Sequence, residues 1–169
     1  MSMLHELSAA VRVRRSDIGL TQAKLAGLCE LSRATINQVE NGSIKDLSVK
    51  RATRLLDELG LAMHVVAPRT SKRLASSERT PALKLAARSA SVSYKQSISE
   101  GQLADILVNG DCPPDWAPHV YALLDEAPVS LLAGVAEQVH IEYGQQRSCV
   151  WQTMRKLARS LKSMRPLWQ

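Results

Sequence analysis

Four side chains with the chemistry to read nucleic-acid bases lie within one stretch of six residues in this sequence. The guanidinium group of Arg33 can donate to two acceptor atoms of guanine, and the amide of Asn37 or Gln38 can pair with adenine. The methyl group of Ala34 could contact the methyl group of thymine. Each of these side chains, Arg33, Ala34, Asn37 and Gln38, is therefore either ordinary exposed surface or a candidate contact to a base edge in the major groove of double-stranded DNA.

The sequence offers little for catalysis or for binding a metal ion. The carboxylates that lie close together between residues 99 and 146 are Asp111, Asp115, Asp125 and Glu126. No set of them has the spacing of metal ligands or of a catalytic pair supported by histidine, since His119 and His140 lie far apart. The three cysteines show no metal-binding spacing and cannot all pair with one another. Since there is also no glycine-rich phosphate loop and no nucleophile–base pair, we predict no enzyme activity, no cofactor and no metal.

Two short helices must position the four candidate side chains. Thr21 can cap the first helix and Ser32 the second, because their hydroxyl groups can accept a bond from a free amide of the first turn. Gly42 suits the positive φ that often ends a helix. Within the second helix Ile36 and Val39 are predicted to face the interior, which leaves the polar side chains facing outward. A short helix with small polar residues on its outer face fits the major groove.

The stretch from Leu20 to Gly42 resembles the Xre-type, phage-repressor-like helix-turn-helix family, and the resemblance covers about residues 3–66. The residues that carry it are Leu20, Thr21, Gln22, Leu25, Ala26, Leu31, Ser32, Thr35, Ile36, Val39, Glu40, Asn41 and Gly42. Many members of the family have glycine at the turn position that Glu30 fills here. If that position needs a positive φ, Glu30 is mildly strained.

The resemblance implies base contacts from Arg33, Ala34, Asn37 and Gln38, and it also implies contacts with the DNA backbone. In this family the glutamine at the position of Gln22 holds a phosphate and braces the second helix. Residues that follow the second helix, among them Lys45, are expected to hold phosphates and so to position the protein without reading sequence. Glu40 is expected to bond within the fold at the helix end. The predicted backbone contacts are Gln22, Ser32, Thr35, Asn41, Ser43 and Lys45.

Two further helices flank the central pair. A first helix over residues 3–15 ends with Arg12, Arg14 and Arg15, which are either solvated surface charges or further phosphate contacts. A fourth helix begins at Ser48 and ends at Gly60, with apolar residues spaced by three and four.

A short β-strand is predicted after the fourth helix, because apolar residues alternate from Leu61 until Pro68 stops the pattern. A single strand has unpaired edges, so its partner is expected to be the same strand of a second subunit. A two-stranded dimer sheet of this kind resembles the antitoxin branch of the family. The alternative is an apolar tail packed on its own domain. The predicted dimer-strand residues are Leu61, Met63 and Val65.

The composition favours helices and a protein of the cytoplasm. Of the 169 residues, 45% are hydrophobic, but only 4% are aromatic and none is phenylalanine. A core of leucine, valine, alanine and methionine favours helices over a sheet. No apolar run approaches the roughly 20 residues that span a bilayer, and the first ten residues do not resemble a signal peptide. We therefore expect a cytoplasmic location and no membrane partner.

The net charge of +6 is unevenly distributed along the chain. Residues 1–67 carry a net charge of +2, residues 68–98 of +6, residues 99–146 of −8 and residues 147–169 of +6. Such asymmetry indicates separate modules, some of which bind polyanions. We predict a helix-turn-helix domain at 1–67, a basic linker at 68–98 and a helical interaction or dimerisation domain at 99–169.

The parts outside the helix-turn-helix domain leave several interpretations open. The linker, with at most one helix at 81–88, either raises DNA affinity through its charge, acts as a flexible tether, or orders on a toxin partner. The last helix, predicted at 147–164, has basic flanks and an apolar heptad stripe made of Val150, Met154, Leu157, Leu161 and Met164. That stripe packs on the acidic helices, or binds a partner or second subunit, or lies on a membrane surface.

The predicted fold is therefore mainly α, with one short strand between the repressor domain and the basic linker. The predicted function is sequence-specific DNA binding by a homodimeric transcription repressor on an inverted-repeat operator. The antitoxin resemblance adds that it represses its own toxin–antitoxin operon and holds a cognate toxin. The alternative is a plain phage- or host-type regulator whose C-terminal domain dimerises or senses a signal.

Overall fold

A computed structural model describes residues 3–63 and 80–169 of the chain. Nine α-helices form in these two ranges, and a short 3-10 helix at Pro166–Trp168 follows them. The helices are α1 (Met3–Ile18), α2 (Gln22–Cys29), α3 (Arg33–Glu40), α4 (Val49–Glu58), α5 (Ala82–Ser91), α6 (Glu100–Asn109), α7 (Ala117–Glu126), α8 (Val129–Tyr143) and α9 (Arg147–Ser160). None of the helices in the described ranges is long and apolar enough to cross a membrane.

Helices α1 to α4 form an N-terminal unit around one apolar core. Helix α3 packs on α1 and α2, and α2 packs on α4. The side chains that meet at the centre of the unit are buried completely: Val11, Leu25, Ile36, Val39, Leu55 and Leu59. Ile36 and Val39 lie three residues apart on α3, and Leu55 and Leu59 lie four apart on α4 and its cap, the spacing of buried helix faces that the sequence predicts.

The predicted helix starts of this unit are confirmed. The Thr21 hydroxyl oxygen accepts the amide of Lys24 at 3.1 Å, and the Ser32 hydroxyl oxygen accepts the amide of Thr35 at 3.0 Å. The Ser48 hydroxyl oxygen accepts a longer bond of 3.4 Å at the start of α4. Each bond satisfies a donor that the helix itself leaves free.

The residues after α4 do not form the predicted strand where the structure describes them. Leu61 donates its amide to the carbonyl oxygen of Leu56 at 2.8 Å and, with Gly60 at φ +64°, closes the C-terminal turn of α4. Leu61 is half-buried against the core, whereas Met63 is 44% exposed. Both lie in irregular chain, and Val65 lies outside the described residues. The dimer strand therefore stays a prediction.

The predicted linker contains a packed helix. Helix α5, within residues 68–98, lies against α6, α7 and α8, and its Leu83, Ala86 and Ala90 are buried. The Leu83 amide at its start donates to the side-chain oxygen of Gln138 on α8 at 2.8 Å. The short alanine side chains let α5 approach α8 closely, and so the segment from residue 80 onward belongs to the C-terminal helical unit. Residues 68–79 of the predicted linker lie outside the described residues.

The last helix is shorter than the sequence predicts. It ends at Ser160, because the chain reverses through Lys162 at φ +60°. The reversal leaves Met164 75% exposed, so Met164 does not continue the apolar stripe. Instead Trp168 folds back beside Trp151, with 6.1 Å between the ring centroids, and donates its indole N–H to the carbonyl oxygen of Leu124 at 2.9 Å.

The start of the apolar stripe is buried as the packing alternative predicts. Val150, Met154 and Leu157 are buried between α9 and helices α6 to α8. The expected pairing of charges across this contact is limited to one ion pair among the described residues, between Arg147 and Glu137. Apolar burial, rather than the opposite net charges, therefore holds α9 in place.

The N-terminal and C-terminal units touch along α1 and at the end of α4. Helix α9 packs against α1, and α8 begins beside the turn that follows α4. At that turn a Cβ built on Gly60 would lie 2.8 Å from backbone atoms of Val129 and Ser130. Only glycine permits both this approach and the positive φ at this position.

We predict that Gly60→Ala lowers the free energy of unfolding by about 2–4 kcal/mol, because alanine adds left-handed strain and a clash with rigid backbone. Gly144→Ala is the matched control, since Gly144 has a similar φ of +71° but a Cβ built on it would meet no atom within 4 Å. The control is expected to lose about 1 kcal/mol. Urea unfolding of both variants measures the difference, and equal losses would contradict the close-approach argument.

Candidate nucleic-acid interface

Helices α2 and α3 are joined by a tight turn of three residues, Glu30 to Ser32. Glu30 takes φ +55° and ψ +40°, the left-handed conformation that usually requires glycine. Its amide bonds back to carbonyl oxygens of α2, and its carboxylate pairs with Arg54 of α4 at 2.5 Å. The turn thus keeps the helix-turn-helix geometry with glutamate in the place of glycine.

A buried carboxylate, Glu40, joins the three helices that form the interface. Arg15 at the end of α1 donates to both oxygens of Glu40, at 2.5 and 3.1 Å. Gln22 at the start of α2 donates to the second oxygen at 2.9 Å. The side chain of Glu40 is only 3% exposed and that of Arg15 is 17% exposed. The expectation that Glu40 bonds within the fold at the end of α3 is confirmed.

The ionisation of Glu40 reflects these contacts. Burial by itself favours the neutral carboxyl, but the hydrogen bonds from Arg15 and Gln22 and the charge of Arg15 outweigh it. Together they hold the pKa of Glu40 below the ordinary value of a glutamate. Glu40 is therefore ionised at neutral pH, and its negative charge is compensated within the protein.

The three arginines near the end of α1 have different surroundings. Arg15 is part of the Glu40 ion pair, Arg14 is half-buried in a cleft that Glu137 also lines, and Arg12 is exposed. The role of Arg15 was missed by reasoning from sequence alone. A signal was present, because Glu40 lies four residues after Ile36 on the inner face of α3, where a carboxylate needs a cationic partner.

The outer face of α3 presents the four residues predicted to contact bases. Arg33, Ala34, Asn37 and Gln38 are all exposed, whereas Ile36 and Val39 are buried completely. Positions 33, 34, 37 and 38 lie on one face because a helix repeats every 3.6 residues. The arrangement leaves this face open to a groove of DNA, and the base contacts themselves stay predictions.

The side chain of Asn37 already forms hydrogen bonds with neighbouring residues of the protein. Its side-chain oxygen accepts an N–H of Asn41 at 3.1 Å and an N–H of Gln22 at 3.4 Å. An asparagine pairs with adenine by accepting and donating together. Because the oxygen of Asn37 is already engaged, its N–H group is the part best placed to meet DNA, so Gln38 is the better candidate for reading adenine.

Five of the six residues predicted to contact the DNA backbone lie near the two ends of α3. At its start the hydroxyl groups of Ser32 and Thr35 lie 2.8 Å apart, with Ser32 exposed and Thr35 half-buried. After its end Ser43 bonds to the carbonyl oxygen of Gln38, and Lys45 is exposed. Gln22, at the start of α2, is half-buried and borders this group, as does the exposed Asn41.

The positive charges at this face are available to a polyanion. In the part of the chain that the structure describes, no carboxylate lies within 4 Å of the charged groups of Arg33 or Lys45. Glu30, in the turn before α3, and Glu40, at its end, pair with Arg54 and Arg15 instead. Phosphate groups would therefore meet uncompensated cations here.

The described residues contain no cluster of three or more histidine, cysteine or acidic side chains that could hold a metal ion. Of the three free thiols, Cys29 is buried in the N-terminal core. Burial, helped by the charge of Glu58, raises the pKa of Cys29 to about 12. The thiolate form is therefore scarce at neutral pH, and Cys29 acts as a small apolar core residue.

Comparison with known proteins finds a match for the N-terminal part of the chain. Residues 10–65 match the profile of a helix-turn-helix family. This range contains α2, α3 and α4 and most of α1, so it coincides with the unit whose geometry is described above. No curated protein and no solved structure matches the chain.

We predict that Glu40→Gln lowers the free energy of unfolding at pH 7 by about 1–3 kcal/mol, because it removes the negative charge that accepts three hydrogen bonds from Arg15 and Gln22. The pKa of Glu40 is lower in the folded state, so its contribution is complete above the unfolded value of about 4.3 and is lost as the pH falls below it. Stability of the variant should consequently fall less than that of the wild type between pH 6 and pH 3.

Chemical unfolding at several pH values measures this difference. Glu137→Gln is the matched control, because the partners of its ion pair are 43% and 40% exposed and water already screens them. The control should change stability far less at pH 7. Parallel pH profiles for the wild type and Glu40→Gln would show that the Glu40 network does not contribute as argued.

Proposed function

We propose that this chain, whose residues 10–65 carry the helix-turn-helix domain of a DNA-binding transcription regulator, is a homodimeric repressor that recognises an inverted-repeat operator. The proposal extends to an antitoxin that represses its own toxin–antitoxin operon. The observation that supports the DNA-binding part of this proposal is the exposure of the outer face of α3. This face exposes Arg33, Ala34, Asn37 and Gln38 together. On the opposite face the apolar side chains are buried in the core and Glu40 pairs with Arg15.

The mechanism divides into positioning and reading. Gln22 at the start of α2, together with Lys45 and the other residues near the ends of α3, would hold phosphates and set the depth and register of α3 in the groove. Arg33 would then donate to guanine and Gln38 would pair with adenine, while Ala34 would contact thymine. The buried Glu40 network keeps α1, α2 and α3 in one arrangement, so the two sets of contacts act at a constant separation.

Dimerisation follows from the small number of bases that one α3 can reach. Two such helices related by a two-fold axis read two half-sites about 34 Å apart, one turn of DNA, and this doubles the contacts. Leu61, Met63 and Val65 are the proposed dimer strand. The 44% exposure of Met63 supports this, since an exposed apolar side chain next to the N-terminal unit is available to a second subunit.

A second candidate is a plain regulator whose C-terminal unit senses a signal. An open groove with a volume of about 840 Å³ lies between α5 and α8 and favours it. The groove is lined by apolar side chains that include Leu85, Leu131 and Ile141, with Glu142 at its edge. Purification of the full chain with the product of the adjacent gene separates the two candidates. A stable complex supports the antitoxin, and its absence together with an operator response to a small molecule supports the plain regulator.

Selection from a random library of duplexes tests DNA reading directly. The full chain should enrich an inverted repeat with half-sites about one helical turn apart. Enrichment of unrelated sequences, with equal affinity for the pool before and after selection, would contradict specific recognition.

We predict that Arg33→Ala weakens binding to the selected duplex by about 1–3 kcal/mol and relaxes base choice at one position of each half-site. Affinity for a scrambled duplex should change much less. Fluorescence anisotropy with the two duplexes measures both. Lys84→Ala is the control, because it removes one exposed positive charge from α5, far from α3 in the chain. An equal loss on both duplexes would assign Arg33 to the backbone instead.

Lys45→Ala should behave differently, because Lys45 is expected to contact a phosphate. It should weaken binding to the selected and scrambled duplexes alike and reduce the slope of log affinity against log salt by about 1. Titrations at several salt concentrations measure the slope. An unchanged slope would show that Lys45 does not neutralise a phosphate.

A further inference from the structure

The turn between α1 and α2 is held by two arginines from different parts of the chain. Arg15 donates to the carbonyl oxygen of Leu20 at 2.7 Å. Arg155, on α9 of the C-terminal unit, donates to the carbonyl oxygen of Ile18 at 2.8 Å and to that of Gly19 at 3.4 Å. Three consecutive carbonyl groups at the end of α1 are thereby bound by guanidinium groups.

The fit of Arg155 to this turn is close. Gly19 has φ +76°, and a Cβ built on it would lie 3.1 Å from one guanidinium nitrogen of Arg155. The carbonyl groups at a helix C-terminus carry partial negative charge, so a cation is stabilised there. In the described part of the chain Arg155 has no carboxylate partner within ion-pair distance, and the carbonyl groups of the turn are its acceptors.

The same turn leads directly into the residues that orient the DNA-facing helix. Gln22, two residues after Leu20, donates to Glu40 and to Asn37 on α3. Arg15 binds both Leu20 and Glu40. Hydrogen bonds and three residues of chain therefore connect Arg155 on α9 with the outer face of α3.

We propose that Arg155 is a positioning residue for DNA binding, which acts through the α1–α2 turn on Gln22 and through it on α3. The inference rests on the proposed function, and it makes the C-terminal unit part of the DNA-reading apparatus. Arg155 lies outside the range of the helix-turn-helix match at residues 10–65. DNA affinity of the full chain consequently depends on a contact that the helix-turn-helix domain does not itself contain.

A double-mutant cycle on the full chain tests the proposal. Arg155→Met keeps the aliphatic part of the side chain but removes its donors, and Gln22→Ala removes the side chain through which Arg155 is argued to act. Lys156→Met is the matched control, because it removes a neighbouring exposed charge from α9. Binding is measured with the duplex selected by the wild type, at a temperature where circular dichroism shows every variant to be folded.

Arg155→Met is expected to weaken binding by about 3- to 30-fold, the range of couplings through packed networks. Lys156→Met should stay within about twofold of the wild type. In the Gln22→Ala background Arg155→Met should cause less than about a twofold further loss, because the two residues act in series. Arg155→Lys, which keeps one donor to Ile18, should restore part of the affinity.

The salt dependence separates positioning from direct contact with DNA. If Arg155 acts through the turn, the salt slope of Arg155→Met equals that of the wild type. A slope reduced by about 1 would instead make Arg155 a phosphate contact and overturn the proposal. Full affinity of Arg155→Met, or additive losses in the cycle, would also overturn it.

Failure to fold and failure to select a duplex have different consequences. If Arg155→Met does not fold, the cycle is run with Arg155→Lys in its place, and a loss of affinity that Gln22→Ala abolishes supports the proposal, whereas an additive loss overturns it. If the wild type selects no duplex at all, the proposed function fails and this inference fails with it. If the wild type selects a duplex that Arg155→Met binds equally well, the inference alone fails.

Discussion

The ion pair between Arg15 and Glu40 is the interaction on which the N-terminal unit depends. Glu40 lies on the inner face of α3 with 3% of its side chain exposed, and a carboxylate in that position is unfavourable unless charged donors surround it. Arg15 supplies two hydrogen bonds and Gln22 a third. These directional bonds come from α1 and α2, so they fix the rotation of α3 about its axis more precisely than apolar packing alone. The polar outer face of α3 is oriented as a consequence.

Helix α1 links this pair to the rest of the molecule. Its inner face contributes Val11 to the N-terminal core, its last turn provides Arg15, and its C-terminal carbonyl groups accept bonds from Arg155. Besides the contact between α1 and α9, the two units meet where Gly60 lets the end of α4 approach the start of α8 closely. The C-terminal unit thus packs on α1 and beside the end of α4, while the outer face of α3 remains exposed. A helix-turn-helix domain and its neighbouring helices share a polar junction in this chain, rather than only a covalent connection.

Departures from the sequence pattern have local physical causes. Glu30 occupies a left-handed turn position that favours glycine, and its carboxylate meets Arg54 of α4 across the turn. Leu61 continues an alternating pattern typical of a strand, yet its amide closes α4 by bonding to Leu56. The stripe of α9 ends early because the chain reverses through Lys162, which leaves Met164 exposed, and Trp168 packs beside Trp151. An ion pair at Glu30, a helix-closing hydrogen bond at Leu61 and an aromatic contact beyond α9 accompany these departures.

The sequence by itself determined the features that depend on neighbouring residues. The caps at Thr21, Ser32 and Ser48, the inward Ile36 and Val39, and the outward set on α3 follow from hydroxyl chemistry and from the 3.6-residue period, which act within a few residues. Only the tertiary structure decided the partners of Arg15 and Arg155, the burial of α5 against α8, and the end of α9. The two arginines join residues that are 25 and 137 positions apart in the chain. The sequence around a charged side chain does not indicate its partner. The packing of the helices decides which distant carboxylate or carbonyl group that side chain meets.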